Sequence, residues 1–191
     1  MTAELDTIRA FLAGDNGALA RQIVDRNPWF CDQVGVDLGV WAPTFLATQG
    51  LVDATIHIVG SAATGFSLKE EQPGRPFRFI GDGVKPSDLD VAIVHQPLFD
   101  DCWAEMVVFD RTTRVHSEFQ DRVDVYWGHL DDYRLPERAQ MRRRLRDVAG
   151  AIQRSAEFRG YPCTLRIYRS RRDLVGYVKN SINDLERSLT P

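Results

Sequence analysis

The chain has 191 residues, of which 43% are apolar and 27% are charged, and its formal net charge is -3. This length suits one compact domain with a real core, the composition excludes a disordered chain, and the slight negative charge argues against a surface that binds nucleic acid all over, although it permits a local basic patch. We expect a cytoplasmic protein without a membrane segment, because no apolar run approaches the roughly 20 residues of a membrane helix and the N-terminus carries no signal pattern.

The first fifty residues predict helices. Apolar residues recur at helical spacing in two segments, which end at Gly14 and near Asn27-Pro28. The stretch from Trp29 to Pro43 shows no clear period. Thr44 to Gln49 then fits a short helix that Gly50 closes.

The middle of the chain predicts strands. Ala54 to Val59 is rich in β-branched residues and is followed at once by Gly60-Ser61. Residues 67–86 are rich in glycine and proline, so they predict a long loop or a short hairpin. Leu89 to Val94 reads as a second strand. A loop of that length inside a compact domain is usually functional or mobile.

The remaining elements alternate between helices and strands. Pro97 to Phe109 predicts a helix, Arg122 to Trp127 a third strand, Pro136 to Phe158 an amphipathic helix and Cys163 to Tyr168 a fourth strand. A last helix begins near Ser170, and its apolar stripe is Leu174, Val178, Ile182, Leu185 and Leu189. The sum is an α/β or α+β fold, with a small mixed β-sheet flanked by helices.

Acidic residues interrupt two of the predicted strands. Asp88 and Asp90 are two residues apart at the start of one strand, so their side chains point to the same face. Asp124 lies between two valines inside the next strand, which favours it over Asp121 as a third acid. Carboxylates gathered in this way repel one another unless they share a cation or a proton. Mg²⁺ or Mn²⁺ is the expected cation, because hard divalent ions prefer carboxylate oxygens. The alternative for Asp88 and Asp90 is an ordinary cap and strand start.

The turn after the first strand has the chemistry of a phosphate site. Gly60 lets a phosphate approach the backbone closely, and the Ser61 hydroxyl and nearby amides can donate hydrogen bonds to it. Alone, a glycine and a serine after a strand more often form a plain turn. The acids that follow are what make the pair a candidate site.

Taken in order, these parts resemble the DNA polymerase beta-like nucleotidyltransferase superfamily. The matching segments are IVGSAATG at residues 58–65, PSDLDVAIV at 86–94 and RVDVYW at 122–127. The resemblance covers residues 54–127. One departure is the distance between the first two parts, because small members of the superfamily usually place the paired acids soon after the glycine and serine, whereas residues 62–87 intervene here.

The resemblance implies a role for each residue. Asp88 and Asp90 would bind both metal ions, and Asp124 would bind the catalytic ion and help to deprotonate an acceptor hydroxyl. Gly60 and Ser61 would hold the terminal phosphates of a nucleoside triphosphate. Residues 1–191 would form a single nucleotidyltransferase domain, with N-terminal helices in 1–50, a catalytic core in 51–130 and a C-terminal segment of helix and strand in 131–191.

The acceptor and two rival functions stay open. RNA, a protein or a small molecule can supply the acceptor hydroxyl. The arginine-rich segment Arg138–Arg146 is foremost a candidate for a solvated helix face paired with neighbouring acids, and among the acceptors it points toward RNA or a partner protein. One rival is a non-catalytic nucleotide- or partner-binding module of the same fold. The other is a nucleotide synthetase that transfers pyrophosphate. The three cysteines and four histidines predict neither a disulfide framework nor a zinc site, because they form no CxxC and no closely spaced ligand pair.

Overall fold

The computed structural model describes residues 2–113 and 125–189, except for the side chains of residues 2–5, 7 and 110–113. The helices are α1 (Thr2–Phe11), α2 (Asn16–Asp25), α3 (Trp29–Val34), α4 (Leu38–Thr48), α5 (Ser61–Thr64), α6 (Gln96–Thr113), α7 (Gln140–Arg154) and α8 (Arg171–Leu189). The strands are β1 (Thr55–Val59), β2 (Leu89–Val94), β3 (His129–Asp131) and β4 (Cys163–Tyr168). Within the described residues, no helix is sufficiently long and apolar to cross a membrane.

The four strands form one mixed sheet in the order β1-β2-β4-β3. β2 runs antiparallel to β1 and parallel to β4, and β3 is antiparallel to β4. Helices flank this sheet, which confirms the predicted fold class of a small mixed sheet between helices. Because β1 ends where β2 and β4 begin, the turn after β1 lies beside the first residues of both neighbours.

Each face of the sheet is covered by its own group of helices. Leu89, Val91 and Ile93 of β2 belong to the larger core, which includes residues of α3, α4, α6 and α7. Ala92 belongs to a smaller core on the other face, where α2 and α8 pack against each other. The smaller core covers only part of its face, so Asp90 on that face is half-buried.

The segment from Trp29 to Pro43, whose structure the sequence left open, is helical in two pieces. Gly35 ends α3 in a left-handed conformation with φ 70°. Asp37 then caps α4 by accepting a hydrogen bond from the Val40 amide at 3.2 Å. The predicted short helix from Thr44 is the second half of α4, which continues through Pro43.

The strand predictions for β1, β2 and β4 are confirmed, but the predicted strand from Arg122 to Trp127 is wrong over its described part. Val125 and Tyr126 are helical, and Trp127 and Gly128 form a turn. The strand that pairs with β4 starts only after this turn, at His129. Gly128 permits the turn because its φ of +78° is one that side chains rarely adopt.

Candidate active site

A polar cavity of about 680 Å³ opens at the edge of the sheet where β1 ends and β2 begins. Gly60, Ser61, Asp88 and Asp90 all line it. The structure therefore brings together four of the five residues that the sequence singled out. The fifth, Asp124, lies outside the described residues, as does its competitor Asp121.

Asp90 is held between its two neighbouring strands. It pairs with Val59 of β1 on one side and with Thr164 of β4 on the other. The Thr164 hydroxyl donates a hydrogen bond to Oδ1 of Asp90 at 2.8 Å. This bond fixes the orientation of the carboxylate toward the cavity.

Gly60 lies directly against the same carboxylate. Its backbone has φ 64° and ψ -147°, a conformation that essentially only glycine adopts. A Cβ atom added to Gly60 would lie 2.6 Å from Oδ2 of Asp90. The glycine is therefore required twice, once for its backbone conformation and once for the space that the carboxylate occupies.

Asp88 precedes β2 and is exposed to the cavity. Its neighbours hold it in place, because the Leu89 amide donates to the Pro162 carbonyl at 2.7 Å. Buried Ser87 exchanges hydrogen bonds with the Arg78 backbone, donating its amide to the carbonyl at 3.0 Å and accepting the amide at 3.1 Å on its hydroxyl. The two acids are thus presented by a fixed stretch of backbone.

Asp131 of β3 is a further acid of this cavity, and no pattern in the sequence singles it out. It is buried, and its Oδ1 accepts a hydrogen bond from Nε of Arg166 at 2.5 Å. This ion pair neutralises Asp131. Among residues 2–113 and 125–189, no three histidine, cysteine, aspartate or glutamate side chains are grouped so that they could hold a metal ion.

Arg166 is the cation of the cavity that the sheet contributes. Its guanidinium carbon lies 4.4 Å from the centre of the Tyr177 ring. Burial by itself lowers the pKa of Arg166, but Tyr168, Tyr177 and Asp131 raise it overall, so the guanidinium stays protonated. The alternation of Thr164, Arg166 and Tyr168 along β4 is the sequence signal that these side chains share the face of Asp90.

No protein-family model, curated protein or solved structure matches the chain. The assignment of the site therefore depends on its geometry and its chemistry.

The cations of the cavity do not come from the arginine-rich segment Arg138–Arg146. None of the residues in that segment lines the cavity. Instead, Arg142 donates to the Leu135 carbonyl at 2.7 Å, and Arg143, Arg144 and Arg146 are exposed on α7. Apart from Arg166, the cations that line the cavity belong to the loop before β2: Lys69, Arg75, Arg78 and Lys85.

The donor set of the cavity fits a hard divalent cation better than thiol chemistry. Asp88 and Asp90 offer carboxylate oxygens, which Mg²⁺ and Mn²⁺ prefer. Cys163, the cysteine beside this edge of the sheet, pairs with Leu89. Burial raises the pKa of its thiol to about 12, which keeps the thiol protonated and a poor nucleophile at neutral pH.

Proposed function

We propose that the protein is a metal-dependent nucleotidyltransferase, which moves a nucleoside monophosphate from a nucleoside triphosphate to an acceptor hydroxyl. One observation carries the proposal: Asp88 and Asp90 line the same cavity as Gly60 and Ser61, with Gly60 in contact distance of the Asp90 carboxylate. Carboxylates can bind a metal ion, and a glycine-serine turn can bind a phosphate. Their juxtaposition supports phosphoryl transfer over a structural role for either.

The proposed reaction is a single displacement at the α-phosphorus. The acceptor oxygen forms a bond to the α-phosphorus while the bond from that phosphorus to the oxygen bridging to the β-phosphorus breaks. Pyrophosphate leaves with the electrons of the broken bond. The hydroxyl proton passes to a carboxylate of the site, a role that the resemblance to the superfamily gives to Asp124.

The residues of the cavity position the reactants. We propose that the Ser61 hydroxyl and the backbone at Gly60 bind the terminal phosphates, and that Thr164 keeps the Asp90 carboxylate oriented through its hydrogen bond of 2.8 Å. Asp88 and Asp90 would hold Mg²⁺ or Mn²⁺, which when bound stabilises negative charge on the phosphoryl oxygens. Arg166, held by Asp131, lines the same cavity, where its remaining guanidinium N–H groups can donate hydrogen bonds to an anion.

We propose that the acceptor belongs to one of three classes: RNA, a partner protein or a small molecule. A second cavity of about 830 Å³ shares Tyr177, Ser181 and Asp184 with the first, which supports room for an acceptor beside the triphosphate. The proposed role of Arg138–Arg146 is to contact a large acceptor outside the cavity. We also propose that the protein acts in the cytoplasm.

The direct test is transfer of label by the purified wild-type protein. It is incubated with each α-³²P-labelled nucleoside triphosphate, Mg²⁺ or Mn²⁺, and either cellular RNA or cellular protein. We expect label on one acceptor class and release of pyrophosphate. Release of AMP with pyrophosphate transfer would instead identify the nucleotide synthetase. If no triphosphate labels any acceptor and none binds in the presence of metal, the proposal is wrong.

A non-catalytic nucleotide-binding module is the second candidate. The observation that favours it is the ion pair of Asp131 with Arg166, which pairs this acid of the cavity with an arginine instead of leaving it to a metal ion. Asp184, a further acid of the cavity, pairs with Arg187. A module that only binds nucleotide has no need of a metal between its carboxylates.

Calorimetry separates the two candidates. For the transferase we expect a nucleoside triphosphate with a non-hydrolysable α,β-bridge to bind at least about tenfold more tightly with Mg²⁺ than with EDTA, because the metal relieves repulsion between the phosphates and the two carboxylates. For the binding module, affinity would be the same with Mg²⁺ and with EDTA. Asp53→Ala, at an exposed position outside the cavity, should leave the metal dependence unchanged.

A further inference from the structure

The segment between α5 and β2, residues 66–88, forms one wall of the cavity, and we call it the cavity loop. It contains no helix and no strand, but backbone hydrogen bonds close it on itself. The Ser67 amide donates to the Arg75 carbonyl at 2.8 Å and the Gly74 amide donates to the Ser67 carbonyl at 2.9 Å. The Phe77 amide donates to the Gly65 carbonyl at 2.8 Å. The loop therefore has a defined conformation.

Aromatic packing fixes this wall to the larger core. Phe77 is buried, and the centre of its ring lies 5.3 Å from that of Phe30 and 6.1 Å from that of Trp29. Farther along the loop, the Ile80 amide donates to the Tyr161 hydroxyl at 3.2 Å. Contacts with the core therefore anchor the loop both before and after Arg78.

Arg78 has a buried side-chain nitrogen, Nε, that lacks a hydrogen-bond acceptor among the described residues. Its side chain lines the cavity. A buried guanidinium N–H without an acceptor is destabilising, so an anion in the cavity would relieve the cost. Lys69 and Lys85 of the same loop are exposed, line the cavity and form no ion pair within the described part of the chain.

We infer that the cavity loop binds the polyphosphate chain of the nucleotide, with Arg78 as its main contact and Lys85 as its second. This inference rests on the proposed function and names the part of the substrate that the loop recognises. A polyphosphate is the anion that fits, because the cations face a concave space of about 680 Å³ that they share with Gly60, Ser61 and the two acids.

Two acids at the tip of the loop determine which of its cations attract an anion most strongly. Glu70 and Glu71 are exposed beside Lys69 and line the same cavity. They weaken the attraction of Lys69 for an anion, and they disfavour the extended backbone of an RNA strand across this rim. Arg78 and Lys85 are farther from these acids in sequence, so they carry most of the binding.

The test uses inorganic tripolyphosphate, which has the polyphosphate but no base, sugar or scissile α-phosphate ester. Its binding to the full-length protein is measured by calorimetry with Mg²⁺ present. We expect Arg78→Gln to weaken binding by at least about tenfold, the lower end for one charge-assisted contact, and Lys85→Ala by about threefold to tenfold, because solvent screens the contact of an exposed lysine. Arg154→Ala, which removes an exposed cation outside the cavity, should bind like wild type.

Lys85→Ala guards against a folding defect, because Lys85 is exposed whereas Arg78 is half-buried. The inference is overturned if wild type does not bind tripolyphosphate, or if folded Arg78→Gln and Lys85→Ala both bind it as wild type does. Binding of single-stranded RNA that Arg78→Gln weakens, without binding of tripolyphosphate, would assign the loop to an acceptor instead and would also overturn it. If wild type transfers nucleotide and the loop variants bind tripolyphosphate as wild type does, only the proposed role of the loop is refuted. If wild type binds tripolyphosphate but transfers no nucleotide, only the transferase is refuted.

Discussion

Replacing Asp90 by asparagine is expected to abolish nucleotide transfer while preserving the fold. Asparagine has nearly the same shape and keeps an oxygen that can accept the hydrogen bond from Thr164, which is 2.8 Å long in the native protein. The substitution removes the negative charge that the metal requires. Because a metal contributes several kcal/mol to charge stabilisation in the transition state, we expect kcat to fall by at least about 100-fold.

The measurement is the release of labelled pyrophosphate from a γ-³²P-labelled nucleoside triphosphate, combined with thermal unfolding of each variant. Asp53→Asn is the matched control, because Asp53 is an exposed aspartate just before β1 that does not line the cavity. It should keep wild-type kcat and a wild-type midpoint of unfolding. If Asp90→Asn is folded and still transfers nucleotide at the wild-type rate, Asp90 is not a metal ligand of this reaction.

The sequence was sufficient to place Asp90 because strand periodicity is a local property. The spacing of Asp88 and Asp90 predicts that the two acids share one face, and the structure places both in the cavity while it buries Leu89 and Val91. The Gly60-Ser61 turn is also local, since it follows directly from the end of β1. For these two features to meet, β1 must lie beside β2, and the structure pairs the two strands antiparallel.

The rest of the cavity depends on contacts between distant parts of the chain, which periodicity cannot reveal. Asp131 and Arg166 meet because β3 pairs with β4, and the turn at Gly128 sets that register. The sequence predicted a strand that extends to Trp127, because valines flank Asp124 in an alternating pattern, but residues 125–127 are helix and turn. Arg78 reaches the cavity only through the aromatic packing of its loop, which glycine and proline content alone does not specify.

Replacing Gly60 by alanine tests the juxtaposition of the phosphate turn with the metal ligand, and we expect two separate losses. The left-handed conformation at φ 64° should cost about 1–3 kcal/mol in the free energy of unfolding. The new methyl group would also begin 2.6 Å from Oδ2 of Asp90, so the carboxylate must turn away. Transfer should therefore fall by more than the loss of folded protein explains.

Gly14→Ala is the control for this substitution. Gly14 lies between α1 and α2 and lines neither cavity of the proposed site, its φ is not positive, and a Cβ atom there would meet nothing within 4 Å. Alanine at this position should raise the free energy of unfolding by up to about 1 kcal/mol, because it restricts the unfolded chain more than glycine does. Chemical denaturation measures both variants, and kcat is compared at temperatures where each is fully folded. A wild-type kcat in folded Gly60→Ala would contradict this prediction. It would mean that transfer does not depend on the position of the Asp90 carboxylate beside the turn, so the turn and the acid would not act on the same substrate.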